Sequence, residues 1–78
     1  MTEQSGNVWV HVEDGEIIVT LPSSTYRATF YRPPDCLHLS LKDLSSESDP
    51  RAPLTLAEFL GHAWEAAKEK ARELGWIV

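Results

Sequence analysis

The side chains in this 78-residue chain best suited to metal or nucleophilic chemistry are three histidines, His11, His38 and His62, and one cysteine, Cys36. A metal ion would recruit His11, His38 and Cys36, because imidazole nitrogen and thiolate sulfur are ligands that zinc favours. A cysteine nucleophile would use Cys36 with His38 as its base. Each chemistry needs support that the sequence does not supply. Cys36 and His38 lie two residues apart, a poor spacing for a metal pair, and no glycine-rich turn or helix start beside Cys36 offers amides to an oxyanion. His62 follows Gly61 at the border of an apolar stripe, where a partly buried imidazole hydrogen-bonded to the preceding linker is expected. Glu13 and Glu16 flank a turn and point to water, so no paired carboxylates converge. The chain is expected to be non-enzymatic, with no catalytic residue, no metal and no cofactor.

Where these residues fall depends on the strands that carry them. Val8, Val10 and Val12, and then Ile17, Val19 and Leu21, recur at every second position, the signature of strands with one buried face. Between them, Glu13-Asp14-Gly15-Glu16 puts Asp-Gly where a type I′ hairpin needs two positive-φ residues. Tyr26 to Tyr31 gives a third strand after the loop Pro22-Ser23-Ser24-Thr25, and Leu37 to Leu41 a fourth after Arg32-Pro33-Pro34-Asp35. Folded as a meander over residues 8–41, these strands align apolar side chains in three rows: Val8, Leu21, Tyr26, Leu41; Val10, Val19, Ala28, Leu39; Val12, Ile17, Phe30, Leu37. A slip of one residue would turn that face to water, so the pattern sets the register.

The rest of the chain completes the architecture. Residues 1–6 have no periodicity and are expected as a frayed terminus. Residues 42–53, polar and interrupted by Pro50 and Pro53, are expected as a linker. Residues 55–74 form a helix, with Thr55 as N-cap, Glu58 closing a capping box and Leu54 stapled against Phe59. Its apolar stripe is Leu56, Phe59, Leu60, Ala63, Trp64, Ala67, Ala71 and Leu74. Gly75 stops the helix, and residues 75–78 make an apolar tail in which Trp76 folds back through a Schellman motif. Ala28 and Gly61, small residues among large ones, suggest close approach of helix and sheet. The fold expected is α+β, one small domain in which a four-stranded antiparallel β-meander is packed on one face by a single C-terminal α-helix. In that order His11 and His38 stand three strand spacings apart, roughly 14 Å. No single ion spans that distance; a 4-1-2-3 strand order or a partner copy would be required.

One helix cannot cover both faces of a sheet. The uncovered face is expected to carry rows of Trp9, Thr20, Arg27, Ser40, then His11, Ile18, Thr29, His38, then Glu13, Glu16, Tyr31, Cys36. Within it Trp9, His11, Ile18, Arg27, Tyr31 and His38 are the candidate binding residues, because aromatic side chains on an open surface are enriched where proteins meet. The formal net charge of -5, from 12 acidic and 7 basic side chains, argues against nucleic acid or an anionic membrane as partner. No secretory signal, membrane-length apolar run or cysteine pair is present, so a cytoplasmic protein is expected. The function expected is that of a small acidic protein-interaction module, self-associating through its open sheet face, with a protein partner or a second copy of itself. The alternative is a small-ligand or single-stranded nucleic-acid binder using the same face.

Overall fold

The computed structural model describes residues 2–5, 8–22, 24–45, 52 and 54–77, the first four of these by their backbone alone. The strands are β1 (Thr2–Ser5), β2 (Val8–Glu13), β3 (Glu16–Thr20), β4 (Arg27–Tyr31) and β5 (Ser40–Leu44), followed by α1 (Leu56–Glu73). They form one antiparallel sheet in the order β1-β2-β3-β4-β5. The expected four-strand meander and its C-terminal helix are thus present as β2 to β5 and α1, with β1 added at the outer edge of β2. Thr2–Ser5, expected to fray, pairs from Thr2 with His11 to Ser5 with Val8. Strand addition at an open edge uses backbone groups, which a search for apolar periodicity does not see.

The two central pairings follow the apolar alternation. Val10 faces Val19 and Val12 faces Ile17 across β2 and β3, while Val19 faces Ala28 and Ile17 faces Phe30 across β3 and β4. Asp14 and Gly15 take φ values of 48° and 77° in the turn between β2 and β3, the left-handed pair that a two-residue hairpin demands.

The last strand departs from expectation. Phe30 pairs with Leu41 rather than Leu37, and Ala28 with Leu44 rather than Leu39. The register shifts between Thr29 and Phe30, because Thr29 pairs with Asp43 and Lys42 is the extra residue of a bulge. Two sets of polar contacts account for the change. In the preceding loop the Cys36 amide donates to the Pro33 carbonyl at 3.1 Å and the Arg32 guanidinium to the Cys36 carbonyl at 3.0 Å, so the chain is held in a turn that continues past Asp35. At the far end of β5, Ser45 fixes the pairing: its amide donates to the Arg27 carbonyl at 2.9 Å, and its hydroxyl accepts from the Arg27 amide at 2.6 Å. Residues 42–44, expected in the linker, therefore belong to the sheet. Linker residues 46–51 and Pro53, together with Val78 of the tail, lie outside the described residues.

The core sits between α1 and the inner face of β2, β3 and β4. Thr55 accepts from the Glu58 amide at 3.1 Å, and the Glu58 carboxylate accepts from the Thr55 amide at 3.0 Å, which closes the capping box. Leu54 packs beside the cluster that holds Phe59, and the Tyr26 hydroxyl donates to the Leu54 carbonyl at 3.2 Å, tying the helix entry to β4. The helix meets the sheet through Phe59, Ala63, Ala66, Ala67 and Ala71, all buried. Alanines give the close approach; Gly61, expected to share in it, is exposed with open space where a Cβ would stand. Volume is supplied by rings instead: Tyr26 lies 5.3 Å from Phe59 and Phe30 meets Trp64 edge-on at 4.7 Å. At the C-terminal end Gly75 has φ 79°, its amide donates to Arg72 and the Trp76 amide to Ala71, the two bonds of a Schellman motif. Trp76 and Ile77 accordingly pack, half-buried, against the core.

Candidate functional site

Among the described residues no helix lies over the outer face of the sheet. Trp9 on β2, Ile18 on β3 and Tyr31 on β4 occupy successive diagonal positions there, since Trp9 faces Thr20, His11 faces Ile18, Ile18 faces Thr29 and Glu16 faces Tyr31. Diagonal neighbours of this kind stand about 7–8 Å apart, within reach of aromatic side chains. Trp9 and Tyr31 are each 37% exposed, whereas Ile18 between them is half-buried and Thr29 beside it is buried. The result is an apolar stripe crossing three strands obliquely, high at its aromatic ends and low at its centre.

Charges line both sides of that stripe. A shallow groove of about 350 Å³ beside Ile18 is bordered by the acids Glu13, Asp14, Glu16 and Asp43 and by the bases Arg27 and Lys42. Lys42, projected by the bulge in β5, donates to the Glu16 carboxylate; this hydrogen bond, and then the carboxylate's charge, hold the ammonium pKa above its ordinary value. His11 Nε2 lies 3.2 Å from Glu13 Oε2 on the same strand. Arg27 stands at the opposite corner from Glu13, exposed, with no carboxylate in salt-bridge range among the described residues.

Five of the six candidate binding residues therefore share the open face: Trp9, His11, Ile18, Arg27 and Tyr31. His38 does not. It lies in the loop before β5, exposed, and borders a groove on the helix side of the molecule with Leu37, Leu39 and Trp64. Cys36 is in the same loop and is a free thiol. The cause is the β5 register, which makes Ser40 rather than Cys36 the partner of Tyr31. Among the described residues no three of His, Cys, Asp and Glu converge as a metal ion would require. His62, expected partly buried, is exposed on the outer side of α1 one turn after Glu58.

The helix-side groove was not visible in the sequence. Its apolar lining is Leu37, Leu39, Trp64 and Ile77, and its charged residues are Lys68 and Arg72. Trp64, Lys68 and Arg72 are spaced i, i+4, i+8 and so share one face of α1. That spacing was the available signal, but it gains meaning only once the loop carrying Leu37 is known to close the other wall.

Among the described residues no helix is long and apolar enough to cross a membrane. Comparisons with protein families, with curated proteins and with solved structures return no match for this chain.

Proposed function

We propose that the protein is a non-enzymatic interaction module that pairs with a second copy of itself through the open sheet face. The observation that carries this reading is the oblique stripe of Trp9, Ile18 and Tyr31, two of whose side chains are more than a third exposed on a face that no element among the described residues covers. Apolar and aromatic area of this kind gains most from desolvation by a partner. A second copy fits the charges as well. A two-fold axis running along the stripe would lay Trp9, Ile18 and Tyr31 against their own equivalents and carry Arg27 of one copy toward the Glu13 corner of the other. Self-complementary charge placed this way fixes orientation while the stripe supplies the burial. The nucleic-acid alternative on this face is disfavoured, because the groove beside Ile18 sets four carboxylates against two bases.

The test is mass in solution. The chain is expected to be dimeric at micromolar concentration, and Ile18→Lys to give a folded monomer, because a charge in the centre of a desolvated patch costs far more when buried than in water. Arg27→Glu should weaken the dimer, and adding Glu13→Arg should restore it. A wild-type chain that stays monomeric at high concentration would overturn the proposal, and a dimer indifferent to Ile18→Lys would move the contact to another surface.

A further inference from the structure

We propose that the groove between α1 and the loop preceding β5 is a binding site for a small amphipathic carboxylate, one with a single anionic head and an apolar body. This site lies on the opposite side of the sheet from the self-association surface and stands independently of it.

The groove has a volume of about 460 Å³, within the range of small-molecule sites. Its apolar residues belong to three separate parts of the chain: Leu37 and Leu39 from the loop, Trp64 from the helix and Ile77 from the tail. Each is positioned by a contact already described. The Arg32 guanidinium and the Cys36 amide hold the loop in its turn. Trp64 is set edge-on against Phe30. The Schellman motif directs the tail back along the helix. Leu37 is left 61% exposed at the rim, the most exposed large apolar side chain among the described residues. An apolar body laid over Trp64 would bury it.

Charge selects the other half of the ligand. The chain as a whole is acidic, with 12 carboxylate side chains against 7 bases, yet among the described residues no carboxylate side chain borders this groove. Its charged residues are Lys68 and Arg72, one helical turn apart on the wall beside Trp64, with His38 opposite. Lys68 has one surface pair, with Glu65 at 3.4 Å, and an ammonium offers three donors, so it retains hydrogen bonds to give. Arg72 is exposed and has no carboxylate in salt-bridge range among the described residues, and its fork of donors matches a carboxylate in two parallel bonds. Two adjacent cations on the wall of an apolar trough give an anionic head a place beside the surface that takes its apolar body. A bare inorganic anion would leave the trough unused, and a neutral apolar molecule would leave the cations unused.

Titration of the 15N-labelled chain with octanoate, 1-octanol and inorganic phosphate, followed by NMR, tests the site. Octanoate is expected to saturate, shifting the Trp64 indole and the amides of Leu37, Leu39 and Ile77, while octanol, which leaves a charged hydrogen bond unmade, and phosphate, which has no apolar body to bury, each bind at least about tenfold more weakly. Lys68→Glu combined with Arg72→Glu, both on the helix surface, should remove octanoate binding without unfolding the chain. Ile18→Lys should leave it unchanged, which separates this site from the self-association surface. Equal binding of octanol, equal binding of phosphate, octanoate shifts confined to Trp9 and Tyr31, or no saturation by millimolar octanoate would each overturn the proposal.

Discussion

The two faces of this sheet are built by the same strands and differ in what finishes them. On the inner face Val10, Ile17, Val19, Ala28 and Phe30 are buried under α1, and every position that faces the helix is apolar. On the outer face the alternating positions hold Trp9, Ile18 and Tyr31 beside Glu13, Glu16 and Arg27, and among the described residues burial comes from neighbours on the sheet itself. The contrast shows how a domain of this size divides its apolar residues. One face is completed within the chain, and the other keeps its large side chains at an edge-to-edge spacing that leaves their outer surfaces wet. Stability is accordingly expected to reside on the covered face and recognition on the open one, and substitutions on the two faces should separate these properties.

The largest effect should come from the ring at the centre of the covered side. Phe59→Ala removes a fully buried side chain that packs against Tyr26, and its cost is expected at about 3–5 kcal/mol of unfolding free energy. Trp9→Ala on the open face, where the ring is partly solvated, should cost clearly less. Denaturant melts of the two variants compare the faces directly; equal losses would mean that the open face is as much a structural core as the covered one.

A smaller effect is expected from adding volume rather than removing it. Ala67 is fully buried where α1 crosses the sheet, and Ala67→Leu has no room to place its side chain without lifting the helix. Overpacking of this kind costs about 1–3 kcal/mol. The same enlargement at the exposed Gly61, where a Cβ would meet open space, should be tolerated and can gain helix propensity. If thermal melts showed Ala67→Leu to be neutral, the alanine row would not be what sets the distance between helix and sheet.

How far each face could be read beforehand follows from what kind of interaction builds it. The inner rows of β2, β3 and β4 were legible because alternation and the Asp-Gly turn act together: alternation alone would leave the register free by two residues, and the two-residue turn fixes it between β2 and β3. The helix was legible at both ends because Thr55, Glu58 and Gly75 are residues whose local chemistry has few other uses. The position of the fourth strand is not legible, because Leu37, Leu39 and Leu41 alternate as a strand would, while the contacts that decide the outcome belong to Arg32, Cys36 and Ser45. These are side-chain and amide hydrogen bonds across the chain, without a periodic trace in sequence. The same shift took His38 off the open face. It also created the groove against Trp64, a site assembled from loop, helix and tail that no single stretch of sequence contains.

The helix entry offers a finer comparison, between a surface device and the buried face it serves. Thr55→Ala removes the acceptor of the Glu58 amide and is expected to cost about 1 kcal/mol, well below Phe59→Ala four residues further on. Amide exchange should rise mainly in the first turn of α1. Exchange rising equally along the whole helix would show that the cap holds the helix onto the sheet rather than trimming its end.

The smallest expected effect is also the most specific, and it concerns pH. The Glu58 carboxyl is held below its ordinary pKa by the Thr55 amide and then by the Thr55 hydroxyl, with a lesser contribution from nearby His62. A carboxylate whose pKa is lower folded than unfolded adds stability at neutral pH, keeps all of it above the ordinary glutamate value of about 4.3, and loses it as pH falls through the lowered value. Glu58→Gln retains an acceptor for the Thr55 amide but no titrating charge. Thermal midpoints of the wild-type and Glu58→Gln chains should therefore differ slightly at neutral pH and converge in acid, with the change confined to the region below about pH 4.3. A difference that stayed constant across that range would mean that the charge of Glu58 adds nothing to the cap beyond a neutral acceptor.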